Sequence, residues 1–277
     1  MQKKTILITG SSSGFGKLAA LALAERGHRV LAAVRNPVKG EALLSAAGES
    51  AGNIQLIHLD VTSSPSVAAL SAILTEHDRI DALINNAGFA YGGFAEEVTA
   101  DGFREQFETN FFGVLAVTDT VLPFMRKQKS GKILNMSSIS GLIGFPGLSP
   151  YVSSKHALEG YSESLRLELN PFGIDVALIE PGSFSTGIWT TGRKVSFLEE
   201  SPYSDYMQAI ENELNRSSQQ HGDPQEVARL LVHLCEKDKL HKLRYPIGRG
   251  VKMTAALKRV LPWRVWERIV LKKLGMQ

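Results

Sequence analysis

The 277-residue chain has little of what several other classes of protein need. Its one cysteine, Cys235, cannot form an intrachain disulfide, so an oxidising compartment is not indicated, and we expect this residue in the core of a late helix. Seven histidines are scattered without H-E-x-x-H or paired Cys/His spacing, so no metal site is predicted. No run of eighteen apolar residues is present to span a membrane. The net charge of +3 is too small to indicate nucleic-acid binding.

The length and the amino terminus favour a single domain without a leader peptide. A chain of 277 residues can bury about three quarters of its unfolded surface in one core, so residues 1–277 are predicted to form one domain. A strand-like segment begins at Thr5, which leaves no room for a signal peptide. We therefore expect a cytoplasmic protein.

Short apolar segments recur along the chain, and each ends in polar residues or glycine. Helical stretches separate them. Besides the five principal segments given below, NIQLIHLD at 53–60 is also of this type. This alternation predicts an α/β single-domain Rossmann fold, a doubly wound parallel sheet with helices on both faces, in which ligands bind beyond the carboxyl ends of the strands. The five principal strand segments are Thr5–Thr9, Arg29–Val34, Asp81–Gly88, Lys132–Ser138 and Ile174–Gly182.

The first strand runs directly into a glycine-rich turn, Gly10-Ser-Ser-Ser-Gly14-Phe-Gly16, and then into a helical pattern closed by Gly27. Unpaired N–H groups and the positive end of the helix dipole converge at such a turn, so a pyrophosphate fits there. A side chain at Gly14 or Gly16 would block the approach of phosphate, or of helix to strand. An ordinary strand-to-helix turn is the alternative interpretation.

Tyr151 and Lys155 lie four residues apart, a spacing that puts both side chains on one face of a helix. A nearby ammonium favours the phenolate and lowers the pKa of a phenol from about 10, which makes the tyrosine usable as a general acid or base. A solvated pair on a helix surface has the same spacing.

Six motifs stand in order within about residues 5–190. They are Thr9-Gly10-x-x-x-Gly14-x-Gly16, Asn85-Asn86-Ala87-Gly88, Asn110, Ser138, Tyr151-x-x-x-Lys155 and Pro181-Gly182. Together they resemble the classical short-chain dehydrogenase/reductase family. Phe15, where the family most often has isoleucine, is a mild departure. Within the family the chain is most similar to the 17β-hydroxysteroid and retinol dehydrogenase branch.

The resemblance implies a catalytic set of Asn110, Ser138, Tyr151 and Lys155. Tyr151 would exchange a proton with the substrate oxygen while hydride passes between the substrate carbon and nicotinamide. Ser138 would hydrogen-bond the same oxygen, and the neighbouring Ser137 is the alternative. Lys155 would lower the pKa of Tyr151 and hold the nicotinamide ribose. Asn110 would hold a water, or merely bond a backbone carbonyl.

The end of the second strand bears on the choice of cofactor. Arg35 stands there, and a guanidinium suits the 2′-phosphate of NADP(H), whereas a carboxylate would suit NAD. An exposed surface arginine is the alternative. By resemblance Asp60 and Val61 would contact adenine. The full expected cofactor set is Gly10, Ser12, Ser13, Gly14, Phe15, Gly16, Arg35, Asp60, Val61, Asn86, Ala87, Gly88, Tyr151, Lys155, Pro181, Gly182 and Thr186.

Two later segments are expected to govern the substrate and the partners. Residues 187–215 are predicted to form a lid over a lipophilic ketone, aldehyde or secondary alcohol. The sequence does not decide whether this substrate is a steroid, a retinoid, a long-chain keto-lipid or a xenobiotic carbonyl. Residues 246–277 form a basic amphipathic extension that suits a peripheral membrane contact, a lid or a dimer contact. Side chains expected in the pocket, each of which could instead be plain core, are Trp189, Phe197, Tyr203, Met207, Phe89, Phe94, Leu142 and Phe145.

The resemblance also implies a homodimer or homotetramer, through helix faces within 103–122 and 156–169. The function predicted is an NADP(H)-dependent oxidoreductase, and the reduced state of cellular NADP favours carbonyl reduction. The alternative is an NADP-sensing regulatory or scaffolding protein. A sensor needs the glycine turn but not the tyrosine, serine and lysine, so the complete catalytic set favours the enzyme.

Overall fold

The computed structural model describes residues 2–189, 193–195, 200–218 and 221–276. Two sheets are formed in these ranges, one of seven strands and one of two. In chain order the strands are β1 (Thr5–Thr9), β2 (Arg29–Val34), β3 (Ile54–His58), β4 (Ala82–Asn85), β5 (Ala90–Gly92), β6 (Gly131–Met136), β7 (Ile174–Pro181), β8 (Arg193–Val195) and β9 (Arg244–Ile247).

The large sheet is parallel and has the order β3-β2-β1-β4-β6-β7-β9, which confirms the predicted doubly wound fold. Ile8 of β1 lies between Ala32 of β2 and Ile84 of β4. The chain builds outward from β1 to β3, then returns to the other side of β1 with β4. This reversal opens a crevice beyond the carboxyl ends of β1 and β4, where ligands bind in such sheets.

Ten α-helices are described. Several begin at side-chain caps of the expected type: Ser63 accepts from the Ser66 N–H and Asp223 accepts from the Gln225 N–H. Their bounds are α1 (Gly14–Glu25), α2 (Pro37–Ala47), α3 (Ser64–Thr75), α4 (Ala100–Phe107), α5 (Gly113–Gln128), α6 (Ser149–Leu169), α7 (Ser204–Ser218), α8 (Pro224–Glu236), α9 (Val251–Val260) and α10 (Trp263–Lys273).

The core lies on both faces of the sheet because alternate residues of each strand point to opposite sides. Ile6 and Ile8 pack with α1, α2 and α8, whereas Leu7 packs with α3, α5 and α6. Cys235 is buried in α8, as expected, and burial raises the pKa of its thiol to about 12. This thiol is therefore part of the packing.

The strand β9 was not predicted from the sequence. Its residues, RYPI, are all only half-buried and include an arginine and a proline, so they lack a strand-like apolar pattern. It pairs with β7 at the edge of the sheet, where Pro246 can be accommodated without a partner on the outer side. The pair β5 and β8 was not predicted either.

A buried amide network joins the central strands to the helices that cover them. The Asn85 side chain donates to the Asn135 side chain over 2.9 Å and to Thr118 over 3.0 Å. The Asn135 amide in turn donates to Ser162 of α6 over 2.9 Å. Asn85, Asn135 and Ser162 are all fully or almost fully buried, so each depends on the others for hydrogen bonds.

We expect Asn135→Ala to lower the free energy of unfolding by about 2–4 kcal/mol, because it leaves the Asn85 amide and the Ser162 hydroxyl buried with fewer partners. Urea denaturation followed by circular dichroism measures the change. Asn212→Ala, on the exposed side of α7, is the matched control and should have little effect. Equal effects of the two substitutions would contradict this assignment.

Candidate active site

A cavity of about 520 Å³ lies at the carboxyl ends of the strands and collects the predicted site residues. Every predicted catalytic and cofactor residue lines it except Gly16, which serves the turn behind it. Gly187, Ile188 and Lys194, which belong to the predicted lid segment 187–215, line it as well. Residues that line the cavity and were not predicted for the site are Lys39, Leu59, Thr62, Glu105, Thr109, Met136 and Phe184.

The glycines of the first turn meet two different requirements. Gly14 has φ +54°, so its backbone conformation requires glycine, and a Cβ there would meet no protein atom within 4 Å. A side chain at this position would occupy the open space in which a phosphate is predicted. At Gly16 a Cβ would lie 2.4 Å from Nδ2 of Asn86 and 2.6 Å from the Gly10 carbonyl oxygen. Close contact between turn and helix therefore does require Gly16, as predicted.

Thr9 and Asn86 fasten this turn to the end of β4. The Thr9 hydroxyl accepts hydrogen bonds from the N–H groups of Asn86 and Ala87, each over 3.0 Å. The Asn86 side-chain amide donates to the carbonyl oxygens of Thr9 and Gly10 over 2.9 and 3.1 Å. The amide nitrogen of Asn86 is thus engaged with the turn, while the residue also borders the cavity.

The start of α1 has the properties of an anion site. Its N-cap residue Ser13 makes no side-chain capping hydrogen bond, and the first turn contains no acidic residue. The N–H groups of the first turn and the positive end of the helix dipole therefore remain to be satisfied by a ligand. Gly14 leaves open space above them. These three observations together indicate that the turn can bind a phosphate group.

Two cations, Arg35 and Lys39, border the cavity near the end of β2. Lys39 was missed because only the placement of α2 brings it to the site. Burial would raise the pKa of the nearby Asp60 carboxyl, but hydrogen bonds from the Thr62 N–H and hydroxyl and the charge of Arg35 together lower it. Arg35 and Lys39 thus present two positive charges to any anionic group bound at this end of the cavity.

Tyr151 lies in the first turn of α6 and is 4% exposed. Burial raises the pKa of its phenol to about 12, and a hydrogen bond with Ser138 offsets this in part. The Ser138 hydroxyl also accepts from the Ser140 N–H over 3.1 Å. The adjacent Ser137 instead donates its hydroxyl to Glu159, so Ser138 is the serine that the structure pairs with Tyr151.

Lys155 is buried beside Tyr151, with Nζ 5.6 Å from the centroid of the phenol ring. Its ammonium donates to the Met136 carbonyl oxygen over 2.7 Å. Burial lowers the pKa of Lys155 to about 8, and the charge of Glu159 offsets part of that shift. The expected lowering of the Tyr151 pKa below 10 is therefore not met in this structure, because desolvation of the phenol dominates.

Asn110 lies in a π-helical turn, Glu108–Phe112, between α4 and α5. Its side chain donates to the Phe89 carbonyl oxygen over 3.0 Å and accepts from the Phe89 N–H over 3.1 Å. The predicted hydrogen bond to a backbone carbonyl is therefore present, and the water-holding role stays a prediction. A Cβ at Gly88 would lie 3.1 Å from Oδ1 of Asn110, so the residue before Phe89 must be small.

A partly buried charge network lies behind the catalytic helix. Arg244 of β9 donates Nε to Glu159 over 2.9 Å and a terminal nitrogen to Glu163 over 2.6 Å. Its Nε is also 3.2 Å from Glu180, whose Oε1 nevertheless makes no hydrogen bond among the described residues. Burial, and then the charge of Glu159, raise the pKa of Glu180 to about 8, with Arg244 acting in the opposite direction.

The predicted substrate pocket is divided between two cavities. Phe89 lines the first, whereas Phe94 and Met207 line a second of about 420 Å³ with Glu97 and Ser201. Tyr203 stacks on Phe94 with ring centroids 4.1 Å apart. Leu142 and Phe145 line neither cavity, and the Trp189 side chain and Phe197 lie outside the described residues.

Known proteins resemble this chain along most of its length. The short chain dehydrogenase model matches residues 4–195. An uncharacterized oxidoreductase of Bacillus subtilis, YusZ, is 51% identical over 99% of both chains. The 3-ketodihydrosphingosine reductase of Bacteroides thetaiotaomicron is 47% identical over 72% of this chain and 70% of the reductase. Human retinol dehydrogenase 8 is 40% identical over 66% of this chain and 60% of the human protein. The structure of ElxO with NADP bound is 28% identical, with a TM-score of 0.77 over 91% of this chain and all of that one.

We expect Glu180→Gln to stabilise the protein increasingly as the pH rises. Between the ordinary pKa of 4.5 and the folded value of about 8, folded Glu180 holds a proton that the unfolded chain has released, so this residue makes the free energy of unfolding fall with rising pH. The glutamine side chain does not titrate, so the variant lacks this fall in the free energy of unfolding. The advantage of the variant should grow from near zero in acid to a few kcal/mol at pH 8.

Chemical denaturation at a series of pH values measures this difference. Glu163→Gln is the matched control, because Glu163 also pairs with Arg244 but is largely exposed. A constant difference between wild type and Glu180→Gln across the pH series would refute the assignment of this titration to Glu180.

Proposed function

Because the chain belongs to the short-chain dehydrogenase family, we propose that it is an NADP(H)-dependent oxidoreductase acting on a lipophilic carbonyl or secondary alcohol. The observation that carries the proposal is the meeting of Ser138, Tyr151 and Lys155 in the same cavity as the glycine turn. A sensor of bound nucleotide would need the turn alone. No feature of the described residues favours that alternative.

The cavity fits the proposed cofactor by its open glycine turn, the uncapped start of α1 and the pair of cations at β2. Ser12, Ser13 and Gly14 would hold the pyrophosphate, and Arg35 with Lys39 the 2′-phosphate. Lys155 would hold the nicotinamide ribose. The bound nicotinamide would supply or accept the hydride. ElxO, a similar fold, binds NADP, which supports the same choice here.

The chain's own residues would manage the proton and position the substrate oxygen. Tyr151 would donate its phenolic proton to that oxygen during reduction and take it back during oxidation, with Ser138 donating a hydrogen bond to the same atom. The phenol and Ser138 are already hydrogen-bonded to each other. Charge on Lys155 would favour the phenolate once the phenol has given up its proton. Asn110 would position the Phe89 backbone that borders this region.

The apolar lining favours a lipophilic substrate. Phe15, Phe89, Phe184 and Ile188 all border the large cavity, and the Phe15 and Phe184 rings meet edge-on with centroids 5.6 Å apart. The similar 3-ketodihydrosphingosine reductase and retinol dehydrogenase are named for lipophilic substrates. We propose a long-chain keto-lipid or retinoid-like carbonyl as the first substrates to test, with 187–215 acting as the lid.

We also propose that the protein forms a homodimer or homotetramer through α5 and α6. Phe112, immediately before α5, is 49% exposed, and Leu167 of α6 is 76% exposed. Large apolar side chains with this exposure on neighbouring helices suit burial against a second copy.

We expect Tyr151→Phe to lower kcat/KM by about 10²–10⁴-fold, because the variant keeps the ring but has no proton to donate. Its Kd for NADPH should stay within a few fold of wild type. The assay follows NADPH oxidation at the nicotinamide absorbance band with 3-ketodihydrosphingosine, retinal and a ketosteroid. Tyr161→Phe, on the same helix but outside the cavity lining, is the matched control and should retain activity.

Appreciable turnover by Tyr151→Phe would rule out the proton role of that residue. If the wild type binds NADPH but reduces no carbonyl on the panel, the sensor alternative gains support instead.

We expect Arg35→Gln and Lys39→Gln each to weaken NADPH binding about tenfold or more, because each removes a charge-assisted hydrogen bond to the 2′-phosphate. NADH lacks this phosphate, so its Kd should change little. Fluorescence titration with both nucleotides measures the difference. Lys127→Gln, an exposed cation of α5 outside the cavity lining, controls for net charge. Equal losses for NADPH and NADH would mean that the two cations are structural.

A further inference from the structure

The two C-terminal helices expose apolar side chains at helical spacing. On α9, Met253, Leu257 and Val260 are 66, 45 and 79% exposed, and their i, i+4, i+7 spacing places them along one face. On α10, Val265 and Ile269 are 41 and 47% exposed at i, i+4 spacing. Trp263, at the corner between the helices, is 61% exposed. We call these six side chains the apolar stripe.

The segment that carries the apolar stripe is rich in basic residues and has only one acidic residue of its own. Between Arg249 and Met276 the sequence has eight basic residues and one acidic residue, Glu267. This segment therefore carries a net charge of +7, whereas the whole chain carries +3, so the remainder of the chain is at −4. The basic residues are Arg249, Lys252, Lys258, Arg259, Arg264, Arg268, Lys272 and Lys273.

Packing contacts fix both helices to the body of the protein. Val251, at the start of α9, is buried, and a Cβ at Gly182 would lie 2.5 Å from its Cγ2. Trp266 is 7% exposed and anchors α10, while Lys273 forms an ion pair with Glu213 of α7 over 3.0 Å. The apolar stripe thus remains exposed even though its helices are docked, which removes the interpretation that α9 and α10 bury it as a lid.

The charge decides between the remaining occupants of the apolar stripe. A second copy of the chain in a two-fold contact would bring the same +7 segment against itself, and like charges across an interface are repulsive. A nucleic acid would satisfy the cations but would leave methionine, leucine, valine and isoleucine side chains against a polar backbone. An anionic lipid surface satisfies both features, because it offers negative headgroups above an apolar interior.

We propose that α9 and α10 bind the surface of an anionic lipid bilayer as a pair of interfacial helices, with the apolar stripe inserted at the headgroup boundary. Buried methylenes and nearby cations both contribute to binding at such a surface. Trp263 suits the boundary because its ring is amphipathic. Lys258 lies 4.4 Å from the centroid of that ring and carries its charge to the same depth. Among the described residues no helix is long and apolar enough to cross a membrane.

The test uses the full-length protein with vesicles of phosphatidylcholine alone or mixed with phosphatidylglycerol. Sedimentation measures the bound fraction. Strong binding is expected only to the vesicles that contain phosphatidylglycerol, and it should weaken as salt screens the cations. Binding of equal strength to both kinds of vesicle would overturn the proposal.

Two variants separate the apolar and the ionic contributions. Val260→Glu should weaken vesicle binding by about tenfold or more, and so should Arg264→Glu combined with Arg268→Glu. Val38→Glu, at a valine of α2 that is 73% exposed, is the matched control and should bind like wild type. Far-ultraviolet circular dichroism and thermal unfolding verify that each variant is folded, independently of any nucleotide bound in the cavity.

Two other results would overturn the proposal in favour of a different occupant. Light scattering that shows self-association abolished by Val260→Glu, without vesicle binding, would assign the apolar stripe to a second copy. Binding of a DNA duplex that survives Val260→Glu but is lost with the two arginine substitutions, again without vesicle binding, would assign the surface to nucleic acid.

Discussion

The hydrogen bonds of Thr9 and Asn86 join the two turns on which the site is built. β1 and β4 pair in a parallel ladder from Ile6 to Ile8 and from Ala82 to Ile84, so the turns that follow these strands lie beyond its hydrogen bonds. Thr9 accepts two backbone N–H groups from the β4 side, and Asn86 returns its amide to two carbonyls of the β1 side. The open phosphate turn, and therefore the start of α1, depends on this reciprocal contact.

The second constraint on the site is the low polarity around its ionisable groups. Tyr151 and Lys155 are both buried, and burial moves the pKa of the first to about 12 and of the second to about 8. Each shift disfavours the charged form of its side chain: the phenolate of Tyr151 and the ammonium of Lys155 are both less favoured than in water. Ser137 and Ser138, adjacent in sequence, divide their hydrogen bonds between Glu159 on one side and Tyr151 on the other. The hydroxyl of Ser138 thus serves the cavity, whereas the adjacent hydroxyl of Ser137 serves the charge network behind it.

The sequence predicted what depends on local pattern and missed what depends on distant contacts. β1 and β2 begin and end at the predicted residues, because their apolar residues are continuous and bounded by glycine or charge. The site residues also gather as expected, since parallel strands bring their carboxyl ends to one edge. β9 escaped prediction because only pairing with β7 makes a strand of RYPI. Lys39 likewise reaches the cavity only through the packing of α2, which no spacing rule records. For Asn110 the sequence offered a backbone carbonyl as one of two partners but could not identify it as that of Phe89.

The position of Arg244 makes the edge of the sheet part of the wall behind the catalytic helix. Glu159 and Glu180 belong to α6 and β7, and the arginine that faces them both stands on β9. β9 is held to the sheet by its pairing with β7 on one side only. A substitution that loosens β9 would therefore withdraw the guanidinium from Glu159, whose charge acts on the pKa of Lys155, without touching the cavity.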